Sequence, residues 1–147
     1  MITQDTSIGA EFAAKPKRVT WERTWTYAGG PFTLQGWPSA NIHTDPQFSR
    51  DVGLSEVIVT GAQTQGYVVE LLIDLFGERW LSHGKLYDIK FVKPILVNEV
   101  VQVHTRVLAK DQHDTGLQYT LQVWCAKQSG EEVLVGRASG WIDLENA

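Results

Sequence analysis

The sequence predicts an α+β domain in which one buried helix is enclosed by an antiparallel sheet. Two observations support this fold class. The longest apolar stretch carries the start and end signals of a helix, and the segments after it alternate apolar and polar side chains. We expect a single domain over residues 17–147, preceded by a flexible N-terminal arm over residues 1–16, which is polar and without periodicity.

The central helix is predicted over residues 61–77. Thr60, followed three residues later by Gln63, forms a capping-box pattern, and Gly77 stands where a helix should end. Apolar side chains cover most of the circumference, so we expect the helix to be buried nearly all round. The narrow polar edge that remains consists of Gln63, Glu70 and Asp74.

Strands are predicted both before and after this helix in the sequence. The segments "LYDIKFVKP", "VVQVHTRVLA" and "LQYTLQVWCAK" alternate, as does a last strand near 132–143, with turns at "KDQHDTG" and "KQSGEE". Earlier, "VTWERTWTY" at 19–27 also alternates and is predicted as a strand. A sheet of this kind curls around the helix and exposes an edge strand, so a dimer is the expected state.

Composition excludes several function classes. The formal net charge of −4 and the pI of about 5.5 offer no electrostatic reason to expect a nucleic acid or an anionic membrane as partner. Cys125 stands alone, which excludes an internal disulfide, and no residue cluster has metal-ligand spacing. No signal peptide or membrane-spanning run is found, so we expect a cytoplasmic protein without a cofactor.

The chemistry-bearing segment is "WPSANIHTDPQFS", residues 37–49. Histidine titrates near neutral pH and therefore suits a general base, which makes His43 a candidate. Asp45 followed by Pro46 is a typical start of a short helix. Gly61 opens the central helix, where unpaired amides and the helix dipole favour negative charge.

These residues resemble the MaoC-like dehydratases, the (R)-specific enoyl-CoA hydratases of the hot-dog fold. The family pattern is approximately G-D-x-N-P-I-H-x-D-P-x-F-A, and its second half is matched by Ile42, His43, Asp45, Pro46, Phe48 and Ser49. Gly61 follows His43 by eighteen residues, as in the family. "FVKPILVNEV" at 91–100 is similar to the family's F-x-x-P strand, with Asn98-Glu99 in place of Gly-Asp. The resemblance covers about residues 37–107.

The resemblance implies hydration or dehydration of an acyl thioester carried by CoA or by an acyl carrier protein, in a homodimer or higher oligomer. His43 would activate water, and the amide of Gly61, flanked by Thr60 and Ala62, would bind the thioester. Asp45 would cap the short helix and could also orient His43. Asn41 either turns the chain or holds the water with its amide.

The sequence departs from the family at its catalytic acid. The family Asp, five residues before the His, is replaced by Pro38, and the family Gly and Asn are Trp37 and Ala40. Glu22 is the only acid between Thr20 and His43. Three functions stay open: a hydratase with an altered proton relay, a non-catalytic subunit or acyl-thioester-binding protein, and a thioesterase that uses a helix carboxylate, Glu70 or Asp74.

The other histidines and the cysteine have structural interpretations. His104 is expected to be an exposed or interface residue, and His83 and His113 are expected in loops. Cys125 falls on the apolar face of its strand and is expected in the core.

Overall fold

The computed structural model describes residues 1–30 and 40–144. The helices are α1 (Trp21–Tyr27), α2 (Pro46–Asp51), α3 (Gly61–Phe76) and α4 (Trp80–His83). The strands are β1 (Glu11–Ala13), β2 (Lys17–Arg18), β3 (Lys85–Phe91), β4 (Val100–His113), β5 (Gly116–Lys127) and β6 (Glu132–Asp143).

The strands form one antiparallel sheet in the order β1-β4-β5-β6-β3, with β2 also pairing to β4. The four strands predicted after the central helix are confirmed, because β3 to β6 cover the alternating segments. One apolar row of β4 and β5 is buried and faces the helix, and its members are Val101, Val103, Val107, Leu117, Tyr119, Leu121, Val123 and Cys125.

The central helix α3 is confirmed to within one residue of its predicted end. The Thr60 hydroxyl accepts a hydrogen bond from the Gln63 amide at 3.1 Å, and Gly77 ends the helix with a φ of 79°. The buried side chains of α3 pack into the concave face of the sheet, and the helix contacts β4, β5 and β6. A Cβ on Gly140 would lie 2.5 Å from the Phe76 ring, so this close approach requires glycine.

The predicted polar edge of α3 is wrong at Gln63. This side chain is fully buried, and its Nε2 donates to the Tyr67 hydroxyl at 2.7 Å. Its Oε1 has no hydrogen-bond partner within the part of the chain that the structure describes. Of the three predicted edge residues, only Glu70 and Asp74 are exposed to solvent.

The strand predicted over 19–27 is wrong, because residues 21–27 form the helix α1. The Thr20 hydroxyl caps it by accepting a hydrogen bond from the Arg23 amide at 3.3 Å. Trp21 and Trp25 are four residues apart, and their rings stack with centroids 6.0 Å apart. Alternating and four-residue spacings both place these two indoles on one face, so periodicity alone favoured the wrong element.

We expected residues 1–16 to form a flexible arm, but the N-terminal segment packs against the domain. Ile2 is buried, and its amide donates to the Leu75 carbonyl at 2.9 Å. β1 pairs with β4 and places Phe12 against the core. Contacts made by isolated apolar residues leave no periodic pattern, which is why the sequence did not indicate them.

Three further expectations are corrected and one is met. His83 is the last residue of α4 and His113 the last residue of β4, so neither lies in a loop as predicted. The β4–β5 turn is tighter than expected, since the strands pair as far as His113 and Gly116. Cys125 is buried in the core, as predicted.

No helix in residues 1–30 and 40–144 is long and apolar enough to cross a membrane.

Burial raises the pKa of the Cys125 thiol from 9.0 to about 12. The native thiol should therefore be alkylated by iodoacetamide at pH 8 at least about a hundredfold more slowly than the denatured thiol, because little thiolate forms. Because the folded pKa lies above the unfolded one, the thiol contributes stability below about pH 9 that is lost as pH rises toward 12. Mass spectrometry of quenched samples measures the rate, and native alkylation as fast as in urea would contradict the burial.

Candidate active site

A cavity of about 360 Å³ lies between the N-terminus of α3 and the segment that follows β3. His43, Ile58, Val59, Gly61 and Thr64 line one wall. Residues 91–95 and Val133 line the other. The structure therefore brings the predicted base and the predicted amide donor, His43 and Gly61, to the same cavity.

Two hydrogen bonds fix the backbone and the imidazole of His43. The Asn41 side-chain oxygen accepts from the His43 amide at 2.8 Å, which makes a tight turn. The ring Nδ1 lies 2.8 Å from the Ile58 carbonyl oxygen. Since a carbonyl only accepts, Nδ1 carries the proton, and Nε2 of the neutral ring is left as a proton acceptor.

The segment 57–59 connects the two walls of the cavity. The Ile58 amide donates to the Ile42 carbonyl at 3.1 Å, next to the imidazole. On its other side, the Val59 amide donates to the Ile95 carbonyl at 2.8 Å. Because α3 begins two residues later, this segment sets the distance between His43 and the helix N-terminus.

Gly61 is the first residue of α3, so its amide has no acceptor within the helix. The helix dipole adds a partial positive charge at this end. A Cβ on Gly61 would lie 3.0 Å from the Phe91 ring, which packs directly over the glycine. The absence of a side chain thus allows the Phe91 ring to pack this closely against the start of α3.

The residues flanking Gly61 have different surroundings. The Thr60 hydroxyl is occupied by the cap of α3. Ala62 is exposed, and neither residue is among the described residues that line the cavity. The two predicted neighbours of the amide donor therefore contribute the helix start rather than the cavity wall.

Asp45 caps α2, as the Asp-Pro pattern predicts. Its Oδ1 accepts from the amides of Gln47 at 2.7 Å and Phe48 at 3.1 Å. The alternative role of orienting His43 falls instead to the Ile58 carbonyl. Ser49 is buried and donates to the Ile42 carbonyl at 3.1 Å, which ties α2 to the turn before the imidazole.

The carboxylates considered for a thioesterase lie elsewhere. Glu70 forms an ion pair with Lys17 at 2.9 Å and lines a second cavity of about 400 Å³ together with Tyr67. Asp74 is exposed. Trp37 and Pro38, the family's Gly and Asp positions, fall outside the described residues.

The other polar candidates form no second site. His104 is half-buried and stacks on Trp124 with ring centroids 5.2 Å apart. Across the described ranges, no group of three His, Cys, Asp or Glu side chains converges as a metal site would require. Sequence reasoning missed the Ile58 carbonyl, since a backbone acceptor leaves no residue signature, and Lys93 on the cavity wall, since only its neighbours Phe91 and Pro94 belong to the family pattern.

An antiparallel sheet curled around one buried helix, with a cavity at the helix N-terminus, defines the hot-dog class of proteins. Within that class, the sequence model of the MaoC-like domain matches residues 4–124. The chain therefore belongs to the MaoC-like dehydratase family, which confirms the predicted fold and the resemblance. No curated protein matches the chain.

Solved structures share this fold over almost the whole chain. A MaoC-like dehydratase from Rhodospirillum rubrum is 18% identical, with 100% of this chain and 99% of that chain covered and a TM-score of 0.77. The (R)-hydratase from A. caviae involved in PHA biosynthesis is 20% identical, with coverage of 93% and 97% and a TM-score of 0.68. The HadBC (3R-hydroxyacyl-ACP dehydratase) complex from Mycobacterium tuberculosis is 11% identical, with coverage of 95% and 100% and a TM-score of 0.66. At these identities the likeness concerns the fold.

Two substitutions of Asp45 separate the contribution of its helix cap to stability from the contribution of its charge. Asp45→Ala should lower the free energy of unfolding by about 1 kcal/mol, because two amides of α2 lose their acceptor. Asp45→Asn should stay within about 0.5 kcal/mol of the wild type, since asparagine caps equally well. Urea unfolding measures both values, and an equal loss in the two variants would show that the carboxylate charge matters more than the cap.

Proposed function

We propose that this protein adds water to an enoyl thioester, or removes it from the 3-hydroxyacyl thioester, with His43 as general base and the Gly61 amide as donor to the thioester oxygen. The observation that carries the proposal is that both residues line one cavity of about 360 Å³. A hydratase needs a base and an anion-stabilising donor that act on the same small group. CoA and an acyl carrier protein are the two candidate carriers.

The hydration step can be written with one imidazole. The water oxygen bonds to the β-carbon while a water proton passes to Nε2 of His43. The electron pair of the double bond moves toward the thioester oxygen, where the Gly61 amide stabilises the negative charge. The imidazolium then returns a proton to the α-carbon, so water is consumed and His43 regains its starting state.

The Nδ1 hydrogen bond to Ile58 supports this role, because it favours the tautomer in which Nε2 accepts a proton. The Oδ1 of Asn41 is already bonded to the His43 amide, so its NH2 group is the part that would hold water. An amide orients water but does not take its proton. With Pro38 in place of the family acid, we expect slow turnover, since one general acid–base group is worth roughly 10²–10⁴ in rate.

Substitutions at His43 and Pro38 test the mechanism in opposite directions. His43→Ala should lower the rate of trans-2-butenoyl-CoA hydration by about 10²–10⁴-fold, because the base is lost. Pro38→Asp, which restores the family acid, should raise it by at least about tenfold. Loss of enoyl absorbance measures the rate. Hydration that survives His43→Ala would remove His43 from the mechanism, and Pro38→Asp in the His43→Ala background is the control for an independent base.

A second candidate is a non-catalytic subunit of a heteromeric hydratase, or a protein that binds an acyl thioester without turnover. Pro38 favours it, and the HadBC dehydratase shows that the fold occurs in a two-component complex. A thioesterase has less support, because Glu70 is paired with Lys17 and lines the other cavity.

We further propose that the chain pairs with a second copy along β3. This strand pairs only with β6 among the described strands, and Phe91 and Val92 at its end are 53% and 46% exposed. An unpaired edge with apolar neighbours is usually covered in a stable protein.

Assembly distinguishes the two candidates. The purified chain should elute at twice its mass of 16.5 kDa and hydrate the enoyl thioester without another protein. Light scattering coupled to gel filtration measures the mass, and the same peak is assayed. If activity instead requires a co-purifying chain from the native source that carries an intact Asp and His pair, the non-catalytic candidate is the correct one.

A further inference from the structure

The cavity that contains His43 and Gly61 has a buried floor and an exposed rim. Val59, Thr64 and Ile95 on its floor are 7%, 3% and 4% exposed. The residues 91–94 on the other wall are all exposed. Within one copy of the chain, a ligand that reaches the imidazole therefore extends past this rim.

Lys93 lies on that rim and introduces charge into a largely apolar wall. Apart from the imidazole of His43, it is the only ionisable side chain among the described lining residues. Its side chain is 58% exposed, and its Nζ lies 3.7 Å from the Glu131 Oε1. An exposed ion pair at this separation contributes little to stability.

Glu131 contacts a second cation, Lys127, which it shares with Glu99. The Lys127 Nζ lies 3.2 Å from the Glu131 Oε2 and 3.0 Å from the Glu99 Oε1. The hydrogen bond from Lys127 is the largest cause that lowers the pKa of Glu131, and Lys93 contributes less. When Lys93 leaves Glu131, that carboxylate therefore keeps a contact with the Lys127 ammonium.

We propose that Lys93 binds an anionic oxygen group of the thioester ligand at the cavity rim. This inference rests on the proposed function, because it assumes that a thioester occupies the cavity. Two parts of such a ligand carry that chemistry: the phosphate of the carrier arm and a carboxylate at the far end of the acyl group. Because the Lys93 side chain is 58% exposed, its attraction to either group is screened by solvent and modest in size.

Binding of saturated thioesters tests the proposal without requiring turnover. Isothermal titration calorimetry gives Kd for butyryl-CoA, butyryl-pantetheine and succinyl-pantetheine. The first two differ by the phosphates and the adenosine of CoA, and the last two differ by one carboxylate. Lys93→Met retains the apolar stem and removes the charge. The matched control is Lys15→Met, because Lys15 is exposed between β1 and β2, away from the β3 edge, and does not line the cavity.

Lys93→Met should weaken the anionic ligand by about fivefold and leave neutral butyryl-pantetheine unchanged, as expected for one exposed ion pair. A loss confined to butyryl-CoA identifies the phosphate, and a loss confined to succinyl-pantetheine identifies the carboxylate. Glu131→Gln should tighten the same ligand, because Lys93 loses its competing partner. Lys15→Met should change none of the three values.

Equal affinities in wild type and Lys93→Met for all three ligands would overturn the role of Lys93 and leave the proposed function intact. If the wild type binds none of them, the proposed function fails and the inference fails with it. If Lys15→Met matches the loss in Lys93→Met, the effect is general surface charge, which also overturns the proposal.

Discussion

The hydrogen bond between the His43 imidazole and the Ile58 carbonyl is the contact on which the candidate site depends. It determines the tautomer of the ring, because a carbonyl accepts only from a protonated Nδ1. It also ties the ring to a segment that pairs with the strand-like residues near Ile95 and leads directly into α3. The segment 57–59 thus positions the imidazole, the Gly61 amide and the apolar wall relative to one another.

That arrangement has a chemical consequence for a chain with Pro38 at the family's acid position. In many proton-transfer sites a carboxylate orients and polarises the histidine. Here the bond that orients His43 comes from the backbone, so the described geometry of the ring does not require an acid. The positions of the proposed base and the proposed amide donor therefore do not depend on a carboxylate at residue 38.

Much of the fold could be predicted from the sequence, because local signals agreed with the tertiary structure. Thr60 and Gly77 marked the ends of α3, and Asp45 marked the start of α2, since caps depend on nearby backbone groups. The Trp21–Trp25 segment failed because two indoles four residues apart satisfy both a strand and a helix pattern. Gln63 failed because its burial depends on what packs around α3, whereas a glutamine bonded to Tyr67 one helix turn away would also suit a solvent-facing edge.

The candidate site was predictable to the level of residue type and spacing. His43 and Gly61 could be found because the family pattern places them eighteen residues apart. The Ile58 acceptor could not, since any residue at that position supplies the same carbonyl. Lys93 also left no signal, because its relation to the cavity depends on how the chain folds back after β3.

A crystal structure of the protein with butyryl-CoA would test the central claim most directly. The account predicts that the thioester oxygen lies within hydrogen-bond distance of the Gly61 amide and that the acyl β-carbon faces Nε2 of His43. A thioester bound instead in the cavity lined by Lys17 and Tyr67, with the His43 cavity empty, would contradict it.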